Sequence, residues 1–270
     1  MVVQHNMQAI NTNRMLGQNV KAVAKSTEKL SSGYRVNRAA DDAAGLSISE
    51  KMRNQIRGIN QAVSNSEDGV SLIQTAEGNM NEIHAILQRM GELATKAAND
   101  VNASEDRTAI KDEMTELIAE IDSISSKAAF NGTKLLNGDF AGKYLQVGAE
   151  SGENMKISIK QMNAQILGVK TVAVSTHAAA SAAMKAITSA IKTVSAQRSL
   201  LGAKQNRLEY TINNLENYSE NLTSAESTIR DTDMAAEMTN YTKTSILQQA
   251  AQSMLAQANQ STQGVLSLIQ

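Results

Sequence analysis

The stretch Met52–Ala94, MRNQIRGINQAVSNSEDGVSLIQTAEGNMNEIHAILQRMGELA, decides the fold. Its residues Met52, Ile56, Ile59, Val63, Ser66, Val70, Ile73, Glu77, Met80, Ile83, Leu87, Met90 and Ala94 follow one another at steps of three and four. Those steps put every one of them on one face of a helix at heptad spacing. Only Ser66 and Glu77 interrupt the apolar series. At 1.5 Å per residue such a helix is roughly 65 Å long, wider than a small globular domain. A helix of that length cannot bury its stripe within itself, so it must pair with others.

The same spacing recurs on both sides. Upstream run Leu16, Val20, Val23, Thr27 and Leu30, preceded by Val3, Met7 and Ile10; downstream run Ile110, Met114, Leu117, Ile121, Ile124 and Ala128. A fourth series, Met184, Ile187, Ile191, Val194, Leu201, Leu208, Ile212, Leu215, Leu222 and Ile229, is interrupted by Arg198, Gln205, Ser219 and Glu226. Leu247, Ala251, Met254, Ala258, Thr262, Val265 and Ile269 close the chain with a fifth, less regular stripe. The expectation is a mainly α protein of long antiparallel helices.

Composition agrees. The 270 residues contain no Pro, no Cys and no Trp, with two Phe and five Tyr. At ordinary usage Pro would appear about 13 times, and Pro breaks helix interiors by removing a donor and clashing with the preceding turn. Without Cys there is no disulfide, thiolate zinc site or thiol catalysis. A net charge of −1 argues against nucleic acid as a bulk electrostatic partner. Residues 1–7 lack the charged and apolar regions of a secretory signal, and no stretch approaches the ~20 apolar residues of a membrane span.

The middle of the chain reads differently. Asn131-Gly132 and Asn137-Gly138 are turn signals. Leu145, Val147 and Ala149 alternate, and so do Met155, Ile157 and Ile159, with Glu150–Asn154 between them, which predicts a β-hairpin near 140–160. Residues 164–182, rich in Ala, Val, Ser and Thr, read as a linker.

Charge is absent from both ends. Residues 1–13 and 244–270 carry no Lys, Arg, Asp or Glu, and the last 27 residues hold seven Gln. A solvent-exposed helix carries charges for solubility; a neutral, amide-rich one is expected to be enclosed by other subunits. The two ends are therefore expected to pack together.

No catalytic constellation emerges. His5, His84 and His177 are scattered, without His-Glu-x-x-His. The Arg35, Arg38, Asp41, Asp42 cluster and the Asp231-Thr-Asp233 run read as helix N-termini, where carboxylates cap backbone amides and complement the dipole. The latter lacks the Gly and closing Glu of a calcium loop. No cofactor or metal is expected, and Ser and Thr in residues 171–195 are candidate O-glycan acceptors by composition alone.

Leu30–Ser49 (LSSGYRVNRAADDAAGLSIS), Leu87–Leu93 (LQRMGEL), Phe130–Leu136 (FNGTKLL), Ala203–Glu209 (AKQNRLE), Asn221–Ala235 (NLTSAESTIRDTDMA) and Met254–Asn259 (MLAQAN) together resemble segments of bacterial flagellin. The resemblance covers residues 1–160 and 183–270 in the family's order.

It implies a coiled-coil inner domain from residues 1–40 with 232–270, and a helical rod domain from 41–231 that includes the hairpin. It implies no outer variable domains, since only about 50 residues separate Phe130 from Met184. It further implies a non-enzymatic subunit that polymerises into the swimming filament and is secreted by the flagellum's own type III export route. The alternative is the hook–filament junction protein. An export chaperone at Met234–Gln270, and the filament cap and hook-junction proteins, are the implied partners, with no membrane insertion. The inner-domain stripe would be Val3, Met7, Ile10, Leu247, Ala251, Met254, Ala258, Val265 and Ile269, disordered in the monomer and folded on assembly. Gln88, Arg89, Leu93 and Glu113 match positions where many flagellins are bound by Toll-like receptor 5 and where subunits pack. Gly91 stands where many have Arg, and Thr95-Lys96 replaces the common Val-Gln, so assembly alone stays open as the role of this surface.

Overall fold

A computed structural model describes the backbone of residues 6–267 and the side chains of residues 6–261. The elements in chain order are helix α1 (Met7–Ser32), α2 (Ala43–Ala97), α3 (Ser104–Lys127), strands β1 (Ala129–Phe130), β2 (Thr133–Lys134), β3 (Lys143–Gln146) and β4 (Asn154–Ile157), then α4 (His177–Arg230) and α5 (Met234–Ser267). The chain forms two compact units, one of residues 1–54 with 221–270 and one of residues 55–220.

In the second unit the stripe from Ile56 to Ala94 forms the helical face expected of it. Ile59 is buried, and Ile73, Met80, Ile83, Leu87 and Met90 make one core with Ile110, Met114 and Ile121 of α3 and Ile187, Val194, Leu201 and Leu208 of α4. Each large aliphatic side chain buried there contributes about 1.5–3 kcal/mol. The polar interruptions are satisfied: Ser66 Oγ donates to the Ala62 carbonyl at 2.7 Å, and Glu77 pairs with Arg198 at 3.4 Å. Pairings of 60 with 219, 77 with 198 and 95 with 184 run α2 and α4 antiparallel. Arg89 on Glu113 ties α3 to the C-terminal part of α2.

Two hairpins lie against these helices. β1 pairs with β2 through Asn131 and Gly132, both at positive φ (45° and 77°), as a two-residue turn between antiparallel strands requires. β3 pairs with β4, Leu145 opposite Met155. This second hairpin sits on two glycines of α2, eleven residues and three helical turns apart. A Cβ on Gly58 would lie 2.9 Å from the Ala149 Cβ, and one on Gly69 would lie 2.4 Å from Leu145 Cδ2. Asn65 Nδ2 donates to the Gln146 carbonyl, and Gln197 and Lys204 of α4 donate to the Ser158 and Lys156 carbonyls.

The linker expected over 164–182 is not one. Ala164, Leu167, Val169 and Val174 are buried in the core, Asp122 accepts from the Ala164 amide at 2.8 Å, and α4 already begins at His177. An irregular segment has no period to read, and its small apolar residues fill space left by the helices.

In the first unit α1 and α5 run antiparallel with Cα atoms within 8 Å of one another. Asn6 Nδ2 donates to the Ala258 carbonyl near one end, and Lys29 meets Glu237 at 3.6 Å near the other. Capping follows the sequence reading. Asp42 accepts from the Gly45 amide at 2.8 Å, and Asp233 accepts from Ala235 and Ala236. Asp41 accepts from the Asn37 and Arg38 amides and pairs with Lys25 at 2.9 Å. Gly33 ends α1 at φ 76°, a conformation that glycine adopts without a Cβ penalty.

Candidate functional site

Two surfaces carry the residues that the sequence singles out, one in each unit. The first is the α1–α5 pair. Its inward seam is Asn6, Ala9, Thr12, Leu16, Asn19, Val23, Ser26 and Leu30 on α1 against Tyr241, Thr244, Gln248, Ala251, Leu255 and Ala258 on α5. Both series step by three and four, but small and polar residues alternate with the apolar ones, and this lets the backbones approach closely. Val20 and Thr27, expected on the seam, face outward; Asn19 and Ser26 take their places.

The expected inner-domain stripe is therefore divided. Ala251 and Ala258 are buried against α1, whereas Met7 (69% exposed), Ile10 (57%), Leu247 (44%) and Met254 (61%) project outward. Val3 and Ile269 lie outside the described residues, as does the side chain of Val265. Met15, Met238 and Ile246 are further exposed apolar residues of this unit that the sequence reading missed. Of these only Ile246 lies in an uncharged segment; Met15 and Met238 adjoin Arg14 and Glu237.

Glu237 closes the seam at one end. Its carboxyl is held below the ordinary 4.5, first by the Ser26 hydroxyl, then by Asn240 and Lys29.

The second surface lies on α2 and α3. Arg89 donates to Glu113 through both Nε (3.0 Å) and Nη2 (2.9 Å), and its Nη1 reaches Glu92 at 3.1 Å. Gln88 is exposed and meets His84 Nε2 at 3.2 Å. Lys96, Asn102, Asp106 and Ala109 complete a cleft of about 450 Å³ between the helices. Leu93 forms the floor of this cleft with Ile110: it is 3% exposed and belongs to the core. It falls on the buried side of α2 because it adjoins the Met90–Ala94 stripe, so Gln88, Arg89 and Glu113 are the side chains that face outward.

Among the described residues no group of three or more His, Cys, Asp or Glu is placed to hold a metal ion, and no helix is long and apolar enough to cross a membrane.

Residues 3–141 match the family described as the bacterial flagellin N-terminal helical region, and residues 184–269 match the bacterial flagellin C-terminal helical region. Over the full length of both chains the protein is 51% identical to a flagellin of Halalkalibacterium halodurans and 47% identical to a flagellin of Bacillus subtilis. It is 45% identical, again over both full lengths, to the flagellar filament 31.3 kDa core protein of Treponema maltophilum. Among solved structures, the crystal structure of Bacillus cereus flagellin aligns with 56% of this chain and 88% of its own, at a TM-score of 0.51 and 30% identity. A putative flagellar hook-associated protein from Vibrio parahaemolyticus shares the fold over 71% of this chain and all of its own, at a TM-score of 0.61 and 14% identity. With both helical regions matched in order and relatives aligned end to end with the whole chain, this protein belongs to the bacterial flagellin family, in a short form without large outer domains.

Proposed function

We propose that the chain is the structural subunit of a bacterial flagellar filament, polymerising with copies of itself to form the propeller of swimming motility. The observation that carries this reading is the α1–α5 pair, whose terminal segments, residues 1–13 and 244–270, carry no Lys, Arg, Asp or Glu and which exposes Met7, Ile10, Leu247 and Met254. Residues 1–40 with 232–270 serve as the inner domain, where these side chains are covered by neighbouring subunits, and residues 41–231 form the outer wall. The terminal segments order fully when neighbours supply the missing half of their core.

The same apolar residues explain the remaining partners of this reading. An export chaperone covers the segment from Met234 onward before secretion, and the filament cap and hook-junction proteins meet the ends of the polymer. The exposed Gln88, Arg89 and Glu113 serve subunit packing and are the candidate contacts for Toll-like receptor 5. In its place of work the protein is extracellular. The hook–filament junction alternative is disfavoured by full-length identity to filament core proteins.

Seeding tests the reading. Purified subunits added to sheared filament fragments elongate them into filaments visible by electron microscopy. Subunits that stay monomeric on such seeds contradict it.

A further inference from the structure

The near-zero net charge conceals a segregation by helix. From Asn154 to Leu208 the chain contains eight Lys and Arg and not one Asp or Glu, whereas α3 carries seven carboxylates against three basic residues. Both helices pack their apolar faces into the core of the same unit, so the charges lie on the outward faces.

The two outward faces match in spacing. On α4, Lys185 and Lys192 are exposed and seven residues apart; on α3, Glu105 and Asp112 are exposed and seven apart, with Glu116 and Glu120 extending the row. Seven residues rise about 10.5 Å along a helix and return to nearly the same face. Exposed neighbours on both faces are small (Ser189 and Ala196 on α4, Ala109 and Ala119 on α3), which permits close approach of two helices. Within the subunit these charges are unused. Among the described residues Lys185 and Lys192 have no carboxylate within 4.0 Å, and Glu105, Asp112, Glu116 and Glu120 have no cation.

We propose that the Lys185–Lys192 face of one copy docks on the Glu105–Glu120 face of a second copy. The contact joins two different surfaces, so each copy keeps a free acidic face and a free basic face. Repetition then builds an open helical array rather than a closed dimer. Complementary charges of this kind set register and suppress wrong docking, in addition to what they contribute to affinity. The inference rests on the filament reading and assigns to it one lateral contact.

Charge reversal tests it. All the substituted residues are exposed, so K185E/K192E and D112K/E116K/E120K are expected to keep the parent's helical circular dichroism. Each reversed chain alone is expected to elongate parent seeds about ten-fold more slowly than the parent, since like charges then face each other. The chain carrying both sets regains growth on seeds made from itself. The neutral pair K185Q/K192Q, which adds no repulsion, falls between parent and K185E/K192E.

Reversed or neutral chains that grow like the parent overturn the contact. So does a doubly reversed chain that fails to recover. If the basic face serves an acidic polymer instead, the acidic-face variant grows like the parent, which also overturns it. A parent that does not elongate seeds sinks the filament reading itself, a result separable from all of these.

Discussion

The Arg230 guanidinium lies 4.7 Å from the centroid of the Tyr34 ring while its Nη1 donates to Glu50 Oε1 at 2.8 Å. Around this stack, Arg35 N donates to the Arg230 carbonyl at 2.6 Å, Arg35 Nη2 reaches the Ile229 carbonyl at 2.6 Å, and Thr232 N donates to Gly33 at 2.9 Å. The end of α1 and the end of α4 are thus clasped where each chain segment turns. A planar guanidinium can stack and donate at once, which an ammonium cannot. Arg230→Lys is expected to keep the ion pair and lose the stack, at a cost of about 1 kcal/mol. Heat dissociation of assembled filaments, compared with the parent, measures it.

Leu93 and Arg89 are expected to separate cleanly. Leu93→Ala empties a core position and costs about 2–5 kcal/mol in urea unfolding. Arg89→Ala removes exposed ion pairs and costs less than about 1 kcal/mol. A loss of receptor signalling or filament growth in Arg89→Ala at unchanged stability assigns the surface role to that residue. The same loss in Leu93→Ala reports folding.

Glycines of α2 are expected to differ by what faces them. Gly78 has open space around it, so Gly78→Ala stabilises by roughly 0.5–1 kcal/mol through helix propensity. Gly58 faces the Ala149 backbone, with Cα 3.4 Å from a built Cβ, and Gly58→Leu displaces the hairpin at a cost of about 1–3 kcal/mol. Urea midpoints of the two variants should move in opposite directions.

Acid is expected to loosen the α1–α5 seam. The Glu237 carboxyl titrates below its ordinary 4.5 in the folded chain, so its contribution is complete above that value. It disappears as pH falls through the depressed value, when protonation releases Lys29 and weakens the bonds to Ser26 and Asn240. Filaments of Glu237→Gln should show less change in dissociation temperature between pH 6 and pH 3 than the parent does.

How much of this was legible in the sequence follows from periodicity. The Met80, Ile83, Leu87, Met90 series announced its own burial because every position is apolar and the spacing never slips. The α1–α5 seam was only half legible. Its buried positions include Ser26 and Thr244, with Gln248 half-buried, and a pattern of hydrophobicity cannot separate these from surface residues. The resemblance located Leu93 at the Arg89–Glu113 cleft, while the adjoining buried stripe set its side chain on the cleft floor rather than outward. Residues 164–176 had no period at all, and only the gap left by the helices explains why Ala164, Leu167 and Val169 are buried there.

The central claim, that the terminal helices supply the contacts of the polymer, is tested most directly by seeded growth of a chain restricted to residues 31–240. The core of the second unit is untouched by that truncation. The account predicts a folded, helical protein that leaves filament fragments at their original length while the full chain elongates them. Elongation by the truncated chain at the parent's rate would contradict it.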